Sequence, residues 1–181
     1  MSIKSKLILN SEQVKLTIDR LVFELIENHI HCMDKSVIIG MQPRGVKLSE
    51  RIHSLIEKHT KKNIKKGVLD VTFFRDDFRR REDVITPNQT SIDFSLEGLN
   101  IILIDDVLFT GRSIRSALDA LVSFGRPNNV ELLVLIDRRF SRELPIQPKY
   151  IGKSVDVIDN EYVVVDLDGQ SENVILMNEK S

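Results

Sequence analysis

One segment limits what this chain can become. In Leu99–Ser113, LNIILIDDVLFTGRS, an apolar run leads into two adjacent carboxylates, Asp105 and Asp106, and then into Thr110-Gly111-Arg112-Ser113. A short apolar run bounded by turn residues suits a strand buried on both faces, as in parallel sheets covered by helices. The pattern predicts a strand over Ile101–Ile104 ending at the acid pair, and a helix over Ser113–Phe124 opened by the Thr-Gly turn. In open α/β sheets ligands bind beyond the carboxyl ends of the strands, where this segment carries its polar groups. Free backbone N–H groups at the helix start, with the Thr110 and Ser113 hydroxyls, make a phosphate cradle. Gly111 allows close approach or a positive φ. Two carboxylates beside that cradle would repel the same phosphate. They suit neutral hydroxyls, or a carbon gaining positive charge. Together the features describe a sugar phosphate, most simply a ribose 5-phosphate.

The flanking sequence alternates between strand and helix patterns. Asn10 and Gln13 stand at capping-box spacing. Val14, Ile18, Leu21, Val22, Leu25 and Ile26 then predict an amphipathic helix to about Asn28. Ser36–Met41 reads as a strand, followed by a Pro43-Arg44-Gly45 turn and a helix over Val46–Lys58. Val68–Phe74 and Val130–Ile136 read as strands, and Tyr150–Gly152, Tyr162–Leu167 and Val174–Met177 as shorter ones. Such alternation argues for an α/β fold with a mostly parallel sheet. Arg75 to Phe94 breaks the pattern: charged and aperiodic with Pro87, it suits an active-site lid.

A length of 181 residues predicts one domain, 1–181. Lys plus Arg number 26 against 27 Asp plus Glu, which excludes a surface built wholly for nucleic acid but not a local basic face. Cys32 is the only cysteine, so no internal disulfide or thiolate cluster can form. No apolar run has bilayer length and Met1–Asn10 lacks a signal-peptide core, so a cytoplasmic protein without a membrane partner is expected. His29, His31, His53 and His59 show no metal-ligand spacing, and no protein-held metal is assigned. His53 and His59 read as helix-surface residues, and Lys61, Lys62, Lys65 and Lys66 as a solvated loop. Arg79, Arg80 and Arg81, accompanied by Asp76, Asp77, Glu82 and Asp83, read as a salt-laced mobile loop.

Position by position, Ile101–Ser113 resembles the phosphoribosyl-pyrophosphate motif of type I phosphoribosyltransferases: four apolar, two acidic, three connecting, then Thr-Gly-x-Ser/Thr. Val37–Gly45 (VIIGMQPRG) resembles their first strand and pyrophosphate loop, with Pro43 where Thr is common. Asp70–Phe78, Leu118–Pro127 and Arg142–Lys153 resemble the PyrR family, pyrimidine operon regulators that double as uracil phosphoribosyltransferases. The resemblance runs from about Asn10 to Leu167. It implies the type I fold, with a parallel sheet flanked by helices, a small hood and a flexible lid at about 75–93. The implied reaction joins uracil to phosphoribosyl pyrophosphate, giving UMP and pyrophosphate, with Mg²⁺ held mainly by the pyrophosphate substrate. It casts Asp105, Asp106 and Arg44 as catalytic. Gly45, Arg75, Val107, Leu108, Phe109, Thr110, Gly111, Arg112 and Ser113 would bind substrate, with Asp137 and Arg138 near the base. Purine-salvage relatives usually have Asp where this chain has Phe109, which points to a pyrimidine; a ring packed under the turn is the other reading.

The family's RNA face is represented by Arg20, Arg142 and Lys153, but Asp19 and Phe23 replace a Thr and a His. Arg138-Arg139-Phe140-Ser141 is also one residue longer than the usual Arg-Gly-His. A carboxylate repels phosphates and an exposed Phe donates no hydrogen bond, so catalysis is the first expectation. A UMP-responsive regulator binding an mRNA leader, with weak catalysis, is the alternative. The resemblance also implies a homodimer or higher homo-oligomer. A phospho-acceptor domain is a remote third reading, because there the acid pair lies near the chain start.

Overall fold

The computed structural model describes residues 5–74, 89–157, 161–168 and 171–178. Helix α1, Ser11–His29, opens on a closed capping box: Asn10 Oδ1 accepts from the Gln13 N–H at 2.9 Å, and Gln13 Oε1 accepts from the Asn10 N–H at 3.0 Å. Strand β2, Ser36–Met41, is buried along its whole length. Helix α2, Gly45–Thr60, and strand β3, Lys65–Leu69, follow. Strand β4, Asn100–Leu108, leads into α3, Arg112–Leu121, and then β5, Asn129–Arg139, and β6, Tyr150–Asp156. These strands form one parallel sheet in the order β3-β2-β4-β5-β6. A second, antiparallel sheet in the order β1-β8-β7 is built from β1 (Ser5–Leu9), β7 (Glu161–Asp166) and β8 (Asn173–Asn178).

Strand alternation divides the core between the two faces of the parallel sheet. Ile38, Ile102, Ile104, Leu133 and Leu135 pack with Val14, Ile18 and Leu21 of α1 and Leu48 and Ile52 of α2. Val37, Ile39, Ile101, Leu103 and Val134 pack with Ile114, Ala117 and Leu121 of α3. β4 is therefore apolar on both faces because helices cover both. No helix among the described residues is long and apolar enough to cross a membrane.

Several boundaries differ from the sequence reading. The strand expected at Val68–Phe74 is instead β3, pairing Lys65–Leu69 with Val37–Met41. It is an edge strand, where exposed Lys65 and Lys66 are tolerated, so two of the four expected loop lysines are strand residues. It stops because the Asp70 carboxylate accepts from the Thr72 N–H and hydroxyl, and Thr72–Phe74 forms a 3₁₀ turn. β5 runs three residues beyond Ile136, so Asp137 and Arg138 are strand residues. β4 continues past the acid pair to Leu108, opposite Asp137. His53 is half-buried, its Nε2 at 2.8 Å from the Ile64 carbonyl oxygen, and not a surface residue. β1 carries no sequence signal of its own; it gains its ladder from β8, which follows more than 160 residues later. Of the expected lid, 75–88 lies outside the described residues; its end is pinned to β3 by paired backbone bonds between Ser91 and Val68, both 2.9 Å.

A buried polar cluster lies near the starts of β2, β5 and β6. One Glu131 oxygen accepts from the Tyr150 hydroxyl at 2.7 Å and from His29 Nε2 at 3.0 Å. The other accepts from Lys149 Nζ at 2.6 Å and Asn129 Nδ2 at 2.9 Å. Burial opposes ionisation of Glu131, but the hydrogen bonds from Lys149, Tyr150 and His29 outweigh it and hold the carboxyl below its ordinary range. Glu131→Ala removes the shared acceptor and is expected to cost about 3 kcal/mol in urea unfolding at pH 7. A depressed carboxyl stabilises the fold above its unfolded pKa and loses that effect as pH falls through the folded value. The difference between the two proteins therefore narrows below about pH 4.

Candidate active site

The acid pair sits where β4 emerges from the core. Asp105 Oδ1 accepts from the Asp106 N–H at 2.9 Å, and Asp106 Oδ1 accepts from the Val107 N–H at 2.8 Å. Consecutive strand residues face opposite ways, and each acid opens on a different cleft. Asp105 lines one with Val107, Phe109, Thr110, Arg112 and Ser113. Asp106 lines the other with Pro43, Arg44, Lys47, Leu167 and Asp168. Each cleft encloses about 370 Å³, enough for part of a small polar ligand. Asp106 is only 6% exposed, yet its Oδ2 has no hydrogen-bond partner among the described residues. Buried polar atoms are seldom left so, and one at a cleft wall marks a place for a ligand.

Burial pushes both carboxyls above their ordinary range. The Asp106 charge raises Asp105 further, whereas the Arg44 guanidinium pulls Asp106 back. Arg44 is exposed just before α2 and makes no ion pair among the described residues. It reaches the acids because Gly45 starts α2 against β4: a Cβ there would lie 2.4 Å from the Ile104 carbonyl oxygen and 3.0 Å from Asp105 Cα. Any side chain would lift the helix and Arg44 with it.

The turn after β4 has the conformation its residues suggest. Gly111 takes φ +93° before the first residue of α3, and the Thr110 hydroxyl accepts from the Arg112 N–H at 3.3 Å. The segment after β5 props this turn from behind. The Thr110 carbonyl accepts from the N–H groups of Glu143 at 3.0 Å and Leu144 at 3.2 Å. The Glu143 carboxylate accepts from Arg112 Nε at 2.6 Å, and Arg142 donates to the Phe109 carbonyl and to Asp137. Between β5 and this prop, Phe140 takes φ +67° and stands 84% exposed.

The Phe109 ring is not packed under the turn. It is 45% exposed, with the Arg138 guanidinium 3.9 Å from its centroid. Arg138 donates to the Glu161 carbonyl at 3.0 Å, while its buried Nε has no partner among the described residues. The expected residues from Arg44 to Arg138 thus gather at one end of the sheet, except Arg75, which lies outside the described residues. Of the basic residues read as an RNA face, Arg20 meets β6 immediately before Lys153, whereas Arg142 serves the turn after β4. Arg142 is occupied at the turn, Arg20 donates to the carbonyls of Ile151 and Gly152 at 2.8 and 2.7 Å, and Lys153 donates to the Ile8 carbonyl at 3.1 Å. Lys47, Leu167 and Asp168 were not legible as site residues, since they reach the cleft only through the way α2 and the antiparallel sheet are placed.

A parallel sheet with a small antiparallel hood, and acids beside a Thr-Gly turn, define a phosphoribosyltransferase; the phosphoribosyl transferase domain model matches residues 5–172. Bifunctional protein PyrR of Actinobacillus pleuropneumoniae is 42% identical over 162 residues, covering 88% of each chain. That of Streptococcus equi subsp. zooepidemicus is 43% identical over 170 residues, 92% of this chain and 94% of its own. The chain belongs to the PyrR family. Among solved structures, a hypoxanthine phosphoribosyltransferase from Trypanosoma cruzi in complex with the product IMP superposes with a TM-score of 0.71 at 13% identity, covering 96% of this chain and 90% of that one. One from Staphylococcus aureus gives 0.65 at 20% identity, covering 88% and 81%. At these identities the likeness concerns the fold, which is the type I phosphoribosyltransferase fold.

A carboxyl whose folded pKa lies above its unfolded one binds more protons when folded, so stability declines as pH rises through that interval. Asp105→Asn retains an oxygen for the Asp106 N–H and removes the charge. Its melting temperature at pH 7 is expected to exceed that of the wild type by a few degrees. The gain should fade as the pH approaches about 4, where carboxyls of unfolded chains protonate.

Proposed function

We propose that the protein transfers a phosphoribosyl group from phosphoribosyl pyrophosphate to uracil, releasing UMP and pyrophosphate. The observation that carries this reading is the division of the two clefts by the acid pair. A ribose lying across Asp105 and Asp106 would send its 5′-phosphate to the Thr110–Ser113 turn and its diphosphate toward Arg44. The turn offers the start of α3 and the hydroxyls of Thr110 and Ser113. Asp106, with its unpartnered Oδ2, would accept from a ribose hydroxyl.

Departure of the diphosphate leaves positive charge on the anomeric carbon and negative charge on the leaving group. The acid pair stabilises the first and Arg44 the second, with Gly45 fixing the distance between them; no protein nucleophile is needed. Among the described residues no three His, Cys, Asp or Glu side chains cluster to hold a metal. A Mg²⁺ would therefore be held mainly by diphosphate oxygens and water, and would neutralise leaving-group charge when bound. Val107 and Leu108 shape the sugar side of the first cleft. Phe109, held by Arg138, offers a half-exposed ring beside Asp137 and Arg138 for a pyrimidine, in place of an acid that would read a purine.

The bifunctional PyrR relatives favour a second role, a UMP-responsive regulator acting on an mRNA leader. Arg20 and Lys153, which meet along β6, keep exposed donors for such a partner, whereas Arg142 is engaged at the turn after β4. Incubation with Mg²⁺, phosphoribosyl pyrophosphate and single free bases is expected to yield a nucleotide with uracil and little with hypoxanthine or guanine. Asp106→Asn should lower kcat by about 100-fold or more, the loss typical of removing one transition-state-stabilising group. Undiminished turnover in that variant would remove the acid pair from the reaction, and failure of every base would leave the regulatory reading.

A further inference from the structure

The Asp106 cleft contains a second cation besides Arg44. Lys47 lies three residues further along α2, about one turn, so both side chains project from the same side of the helix. The Lys47 ammonium is paired with Asp168, which follows β7 in the hood, and both line the cleft. With Arg44, Lys47, Asp106 and Asp168 ionised, the empty cleft is electrically balanced, a poor host for a diphosphate. Freeing Lys47 from Asp168 would change that. The pair is well placed to exchange, because its side chains are 52% and 65% exposed and such surface pairs contribute little to stability. Breaking it would not release the hood from α2. One turn further on, Arg51 Nη1 lies 2.6 Å from both oxygens of Glu172, a less exposed pair that ties the same helix to the chain just before β8.

From this arrangement we infer that Lys47 is a diphosphate-binding residue held in reserve by Asp168. An arriving diphosphate displaces the carboxylate, takes the ammonium as donor, and leaves Arg51–Glu172 to hold the hood. Asp168 thereby tunes affinity for the leaving group: it competes with product and substrate for one cation. The inference rests on the transferase reading and adds to it a residue and a contact that reading does not use.

Calorimetric titration with pyrophosphate alone, without divalent cation, tests it, with UMP as a second ligand on the same protein. Lys47→Gln is expected to weaken pyrophosphate binding about tenfold, as for a lost charge-assisted hydrogen bond. It should leave UMP affinity unchanged, while Lys47→Arg retains most of the pyrophosphate affinity. Asp168→Asn should act in the opposite direction, tightening pyrophosphate several-fold at low ionic strength. Unchanged pyrophosphate affinity in Lys47→Gln would overturn the inference. So would equal weakening by Lys47→Gln and Asp168→Asn, since the intact bridge would then be what matters, or loss of UMP binding in Lys47→Gln. Wild-type protein that binds UMP but neither pyrophosphate nor phosphoribosyl pyrophosphate would instead remove the transferase reading itself.

Discussion

Because β4 lies between β2 and β5 with helices on both of its faces, Ile101–Ile104 exclude water completely. Asp105 and Asp106 are then the first groups along the strand that a polar ligand can meet. They carry their charge at the margin of an apolar core, which raises both carboxyls and leaves the buried Asp106 Oδ2 without a partner among the described residues. Such a group is a cost to the folded chain and a benefit only when a ligand arrives. Gly45 belongs to the same constraint, since it lets α2 begin against the β4 backbone and keeps Arg44 near enough to moderate the charge.

The parts of the site differ in how firmly they are held. The phosphate turn is braced through the Thr110 carbonyl, the Phe109 carbonyl and the Arg112 side chain, all bonded to residues 142–144. The Arg44 side is looser: Arg44 has no ion-pair partner among the described residues, and Lys47 has an exposed one. One side of the site is thus braced by the chain behind it, and the other is held by an exposed pair that can exchange.

The α/β class, the parallel sheet, both long amphipathic helices and the Thr-Gly turn before α3 were legible because each rests on a local pattern. Val14, Ile18, Leu21 and Leu25 mark a helix face whatever lies beyond it, and Thr110–Ser113 holds the glycine turn and the opening of α3 in four residues. What was not legible depends on partners distant in sequence. β1 is a strand because β8 pairs with it, and His29 becomes a buried network member because Glu131 arrives 102 positions later. Strand β3 was misplaced toward the apolar Val68–Phe74 because its actual start is two lysines, acceptable only at a sheet edge. Lys47 reads as an ordinary polar position on a helix until the hood brings Asp168 to it.

Phe140 has a consequence of its own. The left-handed kink at the end of β5 swings one aromatic residue into water while the next two bring the chain back to dock Arg142 on the Phe109 carbonyl. Slack in the path is thereby spooled outward at a single point. A residue added or removed at that point would leave both anchorages in place, at the expense of one greasy side chain left in the open.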